Sequence, residues 1–340
     1  MKVLFEATAA LRPGSDRGIG RYLHAIRQAN ETLGNQLIEI ARPMGSGRFS
    51  EFSALPGRQL QLCRRDYDVF HAPTPYYSGL VSRRPTVVSV LDVIPLDVSE
   101  HARTGLKAKF FHRLAARADV VLTLSEHAAS RIVVRLGIDP ARIVVAPLPA
   151  ASDFTPEGPR LPDLPRRYVA AMVDLRTPDP RKRARWLKDI AQHLSKDGVA
   201  LVVAGAGTRT SPIPGSVGLG RISDPEWAAV LRGADLMVYT SSYEGQGMPP
   251  LESIACGTPV VAMGNTAIPE VVGAAGKLVQ EAALDDVSLL HLVTACRELL
   301  GDPGQTATHR AACAQQASAF SEARFRESVG YAYELAHAGS

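Results

Sequence analysis

Little in this sequence points to a metal, a membrane span or a nucleic acid. Its cysteines are Cys63, Cys256, Cys296 and Cys313. None forms a C-x-x-C pair and none sits beside a histidine at ligand spacing, which argues against zinc modules and a disulfide framework. Reduced thiols in a cytoplasmic compartment are the expectation. No stretch approaches the ~20 apolar residues that span a bilayer. The opening MKVLFEATAA lacks the order of a secretory signal, because Glu6 interrupts a very short apolar run. The reading is a soluble protein, at most resting on a membrane surface. Charge is nearly balanced: 38 Lys and Arg against 34 Asp and Glu leave a net +4. That is too small to argue for nucleic acid, although it suits a protein that handles anionic phosphates. No internal repeat or low-complexity tract is evident.

What is present is a core-forming chain of 340 residues, 46% hydrophobic, long enough for two domains. Short apolar, β-branched runs at 2–6, 69–71, 86–91, 120–124 and 143–146 alternate with helical patterns at 20–33, 106–117 and 128–136. A proline-rich break follows, with Pro147, Pro149, Pro156, Pro159, Pro162 and Pro165. Proline fixes φ and removes a donor, so this segment reads as a linker. The rhythm then restarts, with strands at 168–174, 200–204, 217–220, 236–240 and 259–263. Helices are expected at 183–195, 224–232, 251–256 and 285–300, and a last one at about 322–338. Continuous apolar strands between helices predict α/β domains with parallel sheets covered on both faces. The expected organisation is residues 1–160, residues 161–320, and a helix at 321–340 after the second domain. Such sheets bind ligands at the carboxyl ends of their strands, so two facing domains would make one cleft.

The stretch richest in chemistry runs from Asp235 to Val261, DLMVYTSSYEGQGMPPLESIACGTPVV. A strand ends near Thr240, a glycine loop follows, and a helix begins around Pro249 and Pro250, where a missing N–H costs nothing. Glycines let backbone approach a ligand, and a helix start favours an anion. Glu244 and Glu252 flank this site. Carboxylates do not attract phosphate, but they accept hydrogen bonds from sugar hydroxyls. Amides for phosphate and carboxylates for hydroxyls suit a sugar linked to a nucleotide. A plainer alternative stays open, in which Glu244 caps the helix and Glu252 is a solvated helix residue.

Glu244-Gly245-Gln246-Gly247-Met248-Pro249-Pro250-Leu251-Glu252, followed by Cys256-Gly257-Thr258-Pro259-Val260-Val261 and Ile268-Pro269-Glu270-Val271-Val272, resembles the signature of the family 4 (group 1) glycosyltransferases. These are retaining enzymes of GT-B fold, built from two doubly wound Rossmann-like domains. The resemblance implies that Glu244 lies by the donor-sugar hydroxyls and Glu252 on the ribose hydroxyls. Backbone at Gly245, Gln246, Gly247 and Met248, with Leu251, would line the donor. Gln246 departs from the usual Phe on the sugar side of the loop. Arg176 and Lys182, six residues apart, match the cations that the family places on the donor diphosphate, where they offset charge growing on the leaving group. Taken alone, the run with Arg181, Arg183 and Arg185 reads as a solvated basic stretch. Gly220, Arg221 and Ile222 match the segment whose backbone reads the nucleobase. Gly18, Gly20 and Arg21 form a glycine turn just before the first helix, similar to a family loop that reaches the phosphates and acceptor.

The segment Val87-Val88-Ser89-Val90-Leu91-Asp92-Val93-Ile94-Pro95-Leu96 resembles a family segment that carries a His by the donor sugar. Leu91 stands at that His, while Asp92 and Pro95 remain. The expectation is a donor without a 6-hydroxyl, a 6-deoxy sugar or a pentose; low turnover is the alternative. His71, at a strand end, reads equally as an acceptor contact or a satisfied structural histidine. Ser125 resembles a loop residue beside the cleft, or else caps the next helix. Asp66-Tyr67-Asp68 has the form of a metal-binding D-x-D, yet fits the start of a strand better. Lys107, Lys109, Phe110, Phe111, Arg113 and Arg117 make a basic helix; some relatives meet anionic lipids with such a face, but a solvated helix with Phe110 or Phe111 in the core is the stronger reading.

The resemblance therefore implies a metal-independent glycosyltransferase that uses Arg176, Lys182 and Glu244 and needs no cofactor, the nucleotide-diphosphate sugar being a substrate. The acceptor stays open among glycan, lipid-linked glycan and small natural product, with peripheral membrane contact as a further expectation. The weighed alternatives are a non-catalytic nucleotide-sugar binder and, on the same fold, an epimerase or a phosphorylase.

Overall fold

The computed structural model describes residues 1–11, 18–41, 66–78, 85–98 and 105–339. Cys63 lies outside the described residues. The chain divides into two compact units, residues 1–149 with 321–340, and residues 150–320.

In the first unit, β1 (Lys2–Glu6), β2 (Gln36–Ile40), β3 (Val69–Ala72), β4 (Thr86–Ser89), β5 (Val120–Thr123) and β6 (Ile143–Val145) form one sheet in the order β2-β1-β3-β4-β5-β6. Every pairing in it is parallel. β3, β4 and β5 are buried along their whole length, as strands covered on both faces must be. β2 escaped the sequence reading for the complementary reason. It is an edge strand, QLIEI, and leaves Gln36 and Glu39 in solvent. The helices are α1 (Gly18–Thr32), α2 (Ile94–Asp97), α3 (Gly105–Ala115) and α4 (Glu126–Leu136).

In the second unit, β7 (Tyr168–Met172), β8 (Ala200–Ala204), β9 (Ser216–Gly220), β10 (Leu236–Tyr239), β11 (Val260–Met263) and β12 (Gly276–Val279) form a second parallel sheet, ordered β12-β11-β10-β7-β8-β9. Strand alternation feeds two cores. Tyr168, Ala170, Met237 and Tyr239 face one, with Trp227 and Leu251. Val169, Ala171, Leu236 and Val238 face the other, with Trp186 and Leu187. The helices are α5 (Trp186–Ser195), α6 (Asp224–Gly233), α7 (Met248–Ala255), α8 (Ile268–Val272), α9 (Asp285–Gly301) and α10 (Pro303–Ser318). The chain leaves β7 toward β8 and β9, then returns to place β10 on the other side of β7. The carboxyl ends of β7 and β10 thus make the switch point at which open α/β sheets bind ligands.

The terminal helix α11 (Glu322–Ala338) belongs to the first unit, although it follows the second in sequence. Its buried Phe325 meets the Tyr22 ring edge-on. The proline-rich stretch carries no long element, but it is not loose. The Arg232 guanidinium donates to the carbonyls of Asp153 at 2.7 Å, Thr155 at 2.8 Å and Pro159 at 3.2 Å. Phe154 enters the Trp227 core of the second unit, and the division falls after residue 149.

Candidate active site

The cation-bearing loop after β7 is shaped by its own side chains. The Asp174 carboxylate accepts from the N–H of Arg176 at 2.9 Å and of Thr177 at 3.2 Å, which turns the chain. Asp179 accepts from the Arg181 N–H at 3.0 Å and starts a single 3₁₀ turn, Pro180–Lys182. This turn is tied to the loop after β10. Ser242 N–H donates to the Arg181 carbonyl at 2.8 Å, Arg181 Nη1 to the Tyr243 carbonyl at 2.9 Å, and Thr240 Oγ1 to the Lys182 carbonyl at 2.6 Å.

The result brings Lys182 onto Glu244. The Lys182 ammonium and the Glu244 carboxylate form a direct ion pair. The Tyr239 hydroxyl donates to Glu244 Oε1 at 2.6 Å and accepts from Lys182 Nζ at 3.1 Å. Lys182 Nζ also lies 5.5 Å from the centre of the Tyr239 ring. The Glu244 N–H donates to Thr266 Oγ1 at 3.0 Å, and Thr266 itself is left-handed at φ +49°. Burial pushes the Glu244 carboxyl up, but the Lys182 charge and hydrogen bonds from Lys182, Ser241 and Tyr239 outweigh it and hold the carboxyl below its ordinary range. Burial, the Glu244 charge and the hydrogen bond to it push the Tyr239 phenol well up.

Gly247 precedes α7 at φ +103°, and a Cβ there would come within 2.7 Å of Ile268 Cδ1. The left-handed φ favours glycine, and any Cβ would also make the tip of Ile268 shift. Gly247 is the N-cap, while the Glu244 carboxylate is engaged by Lys182 and Tyr239 and not by the helix start. Glu252 is buried in α7 and accepts from the Trp227 indole Nε1–H at 3.0 Å, so it is no solvated helix residue. The plainer alternative for this carboxylate pair therefore fails. Gln246 is buried, Leu251 lies in the core, and Gly245 and Met248 are half-buried.

The neighbouring basic residues are spoken for by acids: Arg181 by Asp179, Arg183 by Glu281 and Asp285, Arg185 by Asp285. Arg176 stands exposed on its loop. At the end of β9, Gly220 at φ +75° donates to Thr208 Oγ1 at 2.9 Å and accepts from Gly205 N–H at 2.8 Å. Arg221 follows, exposed, and Ile222 packs partly on the core.

In the first unit, His71 is fully buried. Its Nδ1 lies 2.9 Å from the Tyr333 hydroxyl and its Nε2 2.8 Å from Ser89 Oγ. Tyr22 OH reaches the same Ser89 at 2.5 Å, and Asn30 Nδ2 donates to Tyr333 at 3.1 Å. Burial pushes the His71 imidazole down to about 3. With both ring nitrogens engaged and no exposed surface, His71 fits the structural reading and not an acceptor contact. Ser125 is likewise the cap of α4, accepting from Ala128 N–H at 3.1 Å. Asp92 accepts from Ile94 N–H at 3.0 Å. Leu91 lies beyond the end of β4 and is half-buried. Gly18, Gly20 and the half-buried Arg21 sit inside the first turn and a half of α1 and not in a turn before it. Asp66 and Asp68 hold Lys2, through its ammonium at 2.8 Å and its backbone N–H at 2.7 Å, which makes them a strand anchor.

Three residues that sequence reasoning passed over take part: Tyr239, Trp227 and Thr266. Tyr239 was open to notice as a polar-tipped residue at the carboxyl end of a switch-point strand. Nothing in the sequence marks Trp227 or Thr266.

Comparison with known proteins gives two family matches. Residues 17–149 match a glycosyl transferase 4-like domain, and residues 167–302 match glycosyl transferases group 1. Among curated relatives, O-antigen chain mannosyltransferase B of Escherichia coli is 29% identical over 258 residues, covering 68% of this chain and 67% of that one. The MMP alpha-(1->4)-mannosyltransferase of Mycolicibacterium hassiacum is 28% identical over 287 residues, covering 75% and 69%. Among solved structures, sucrose-phosphate synthase from Thermosynechococcus elongatus superimposes with a TM-score of 0.75 at 18% identity, covering both chains fully. Anabaena Alr3699/HepE, solved with UDP and glucose, gives 0.70 at 17% identity, covering 97% of this chain and 98% of that one.

Proposed function

We propose that this chain, which belongs to the family 4 (group 1) glycosyltransferases of GT-B fold, is a retaining enzyme that moves a manno-configured sugar from a nucleoside diphosphate to an acceptor hydroxyl. The observation that carries this is the meeting of Lys182, Tyr239 and Glu244 at the carboxyl ends of β7 and β10. Arg176 and Lys182 take the diphosphate. Glu244 accepts from sugar hydroxyls and Glu252 from ribose. Backbone at Gly245, Gln246, Gly247 and Met248 lines the sugar and phosphate, and backbone at Gly220, Arg221 and Ile222 meets the base. Without donor, the Lys182 charge is matched by Glu244. A diphosphate draws the ammonium away and leaves the carboxylate to the sugar, so both groups turn outward on binding. As the glycosidic bond breaks, charge grows on the departing diphosphate, and fixed cations there lower the barrier without a protein base.

The sugar assignment rests on the relatives' names, mannosyltransferases in both cases. Leu91 where the family carries His favours the 6-deoxy form of that sugar, since an apolar side chain faces a methyl group without loss. The acceptor is proposed to be a glycan hydroxyl, reached at a membrane surface through α3. On that helix Leu106 is 88% and Phe110 40% exposed among Lys107, Lys109 and Arg113, while Phe111 is the aromatic that enters the core. No described helix is long and apolar enough to cross a membrane.

Thermal shifts with UDP, GDP, ADP, dTDP, CMP and their sugars test the donor site, on wild type and Lys182→Ala. Stabilisation by one nucleotide that the variant loses is expected. Equal stabilisation of both proteins would sink the assignment.

A further inference from the structure

Trp227 and Glu252 are each 1% exposed, one on α6 and one on α7. The indole Nε1 donates to Glu252 Oε2 at 3.0 Å. A buried carboxylate needs donors, and an indole nitrogen donates once and accepts nothing. The pairing therefore works in one sense only, and it ties Glu252 Oε2 to a donor held on α6. The two helices cannot slide to relax it. Thr258 Oγ1, in the turn after α7, donates to the Leu231 carbonyl of α6 at 2.7 Å, and Ser253 Oγ of α7 donates to the Thr258 carbonyl at 3.0 Å. Glu244 is held in a parallel way by the Tyr239 hydroxyl, so each carboxylate of the loop and helix has an aromatic donor set against it.

We propose that Trp227 is a positioning residue that turns Glu252 toward the ribose and so sets a preference for ribonucleotides over 2′-deoxyribonucleotides; this rests on the donor reading above. Trp227 itself touches no substrate. With Phe in its place Oε2 loses the donor that aims it, the carboxylate is held less firmly toward the ribose, and it distinguishes a ribose hydroxyl from a hydrogen less well.

The test compares binding of UDP, GDP, dUDP and dGDP to wild type and Trp227→Phe. Wild type should prefer the ribose form of the nucleotide it binds by about 10-fold or more, the usual worth of a hydrogen bond to a charged group. Trp227→Phe should lose about 10-fold on that form and no more than about 2-fold on its deoxy counterpart, which collapses the preference. Equal weakening of both forms would reduce Trp227 to a packing residue and overturn the proposal alone. Wild type that binds none of the four, and no other nucleotide of the thermal-shift panel, would overturn the donor reading together with it. A second measurement does not depend on that variant folding. Trp186→Phe leaves Trp227 as the only tryptophan of the chain. Its emission should change saturably with the bound ribonucleotide and less with the deoxy form. An emission blind to bound ribonucleotide also overturns the proposal.

Discussion

Lys182 and Glu244 are 62 residues apart in sequence and form an ion pair that the Tyr239 hydroxyl bridges on its other side. The pair closes because two loops are stitched together by backbone and hydroxyl hydrogen bonds, at the one place in the second sheet where neighbouring strands run on to opposite sides. It puts a cation and an anion side by side in the loops that follow β7 and β10.

Lys182→Ala removes the cation and leaves Glu244 buried with fewer donors. Transfer should fall by about 100-fold or more in kcat, the usual cost of deleting one group that stabilises a leaving charge. Steady-state kinetics with the donor found in the thermal-shift panel checks this. A variant with unchanged kcat and a raised KM would assign Lys182 to binding alone.

Tyr239→Phe deletes one donor to Glu244 while keeping the ring in the core. The groups acting on this carboxyl are Lys182, Ser241 and Tyr239, and Arg181 and Glu252 act on the phenol. Loss of the phenol lets the Glu244 carboxyl rise, so the acid limb of kcat/KM moves to higher pH. At its optimum the variant should lose about 10-fold. A uniform drop with no movement of the acid limb would show that the hydroxyl does not govern the ionisation of Glu244.

Leu91→His tests the sugar. Wild type should use a 6-deoxy manno-configured donor better than its 6-hydroxylated counterpart. The variant should shift the ratio of their kcat/KM values about 10-fold toward the hydroxylated sugar, because a buried polar group rejects a partner that cannot hydrogen-bond it. Equal change on both donors would remove Leu91 from sugar selection.

His71 gives the first unit an acid-sensitive lock. Its imidazole is pushed down to about 3 by burial, from an ordinary 6.5. The native state therefore holds the ring neutral, while the unfolded chain takes up a proton below pH 6.5. The stabilising contribution is complete above 6.5 and is lost as pH falls from 6.5 toward 3. Between pH 7 and pH 5 this amounts to about 2 kcal/mol, at 1.4 kcal/mol per unit. Urea unfolding at both pH values should show that much more acid loss in wild type than in His71→Gln. Identical losses would mean that the ring is already solvated in the native state.

Much of this protein is legible in its sequence. Its division into two parallel α/β halves followed from apolar strands alternating with helical patterns. The proposed donor loop was read from a glycine run between two glutamates, which the structure places on the loop after β10 and in α7. The failures have local causes. β2 is an edge strand with a polar face, β12 (GKLV) is an edge strand with only two large apolar residues after a glycine and a lysine, and α10 is mostly small and polar along its length, so none carries a strong apolar period. His71 was a coin-toss in sequence because a histidine at a strand end has the same pattern whether it faces a ligand or a core. Its outcome depends on Tyr333, 262 residues away on α11.

Period and motif are properties of neighbours along the chain, and they are enough to say what most segments become and which residue types suit phosphate and sugar. Which side chains meet is set by strand order. β10 returning beside β7 joins Lys182 to Tyr239 and Glu244, α6 lying against α7 gives Glu252 its indole donor, and α11 returning to the first unit closes His71 from water. Those pairings act over a few ångströms between residues tens or hundreds apart in sequence, and only the folded topology brings them within reach.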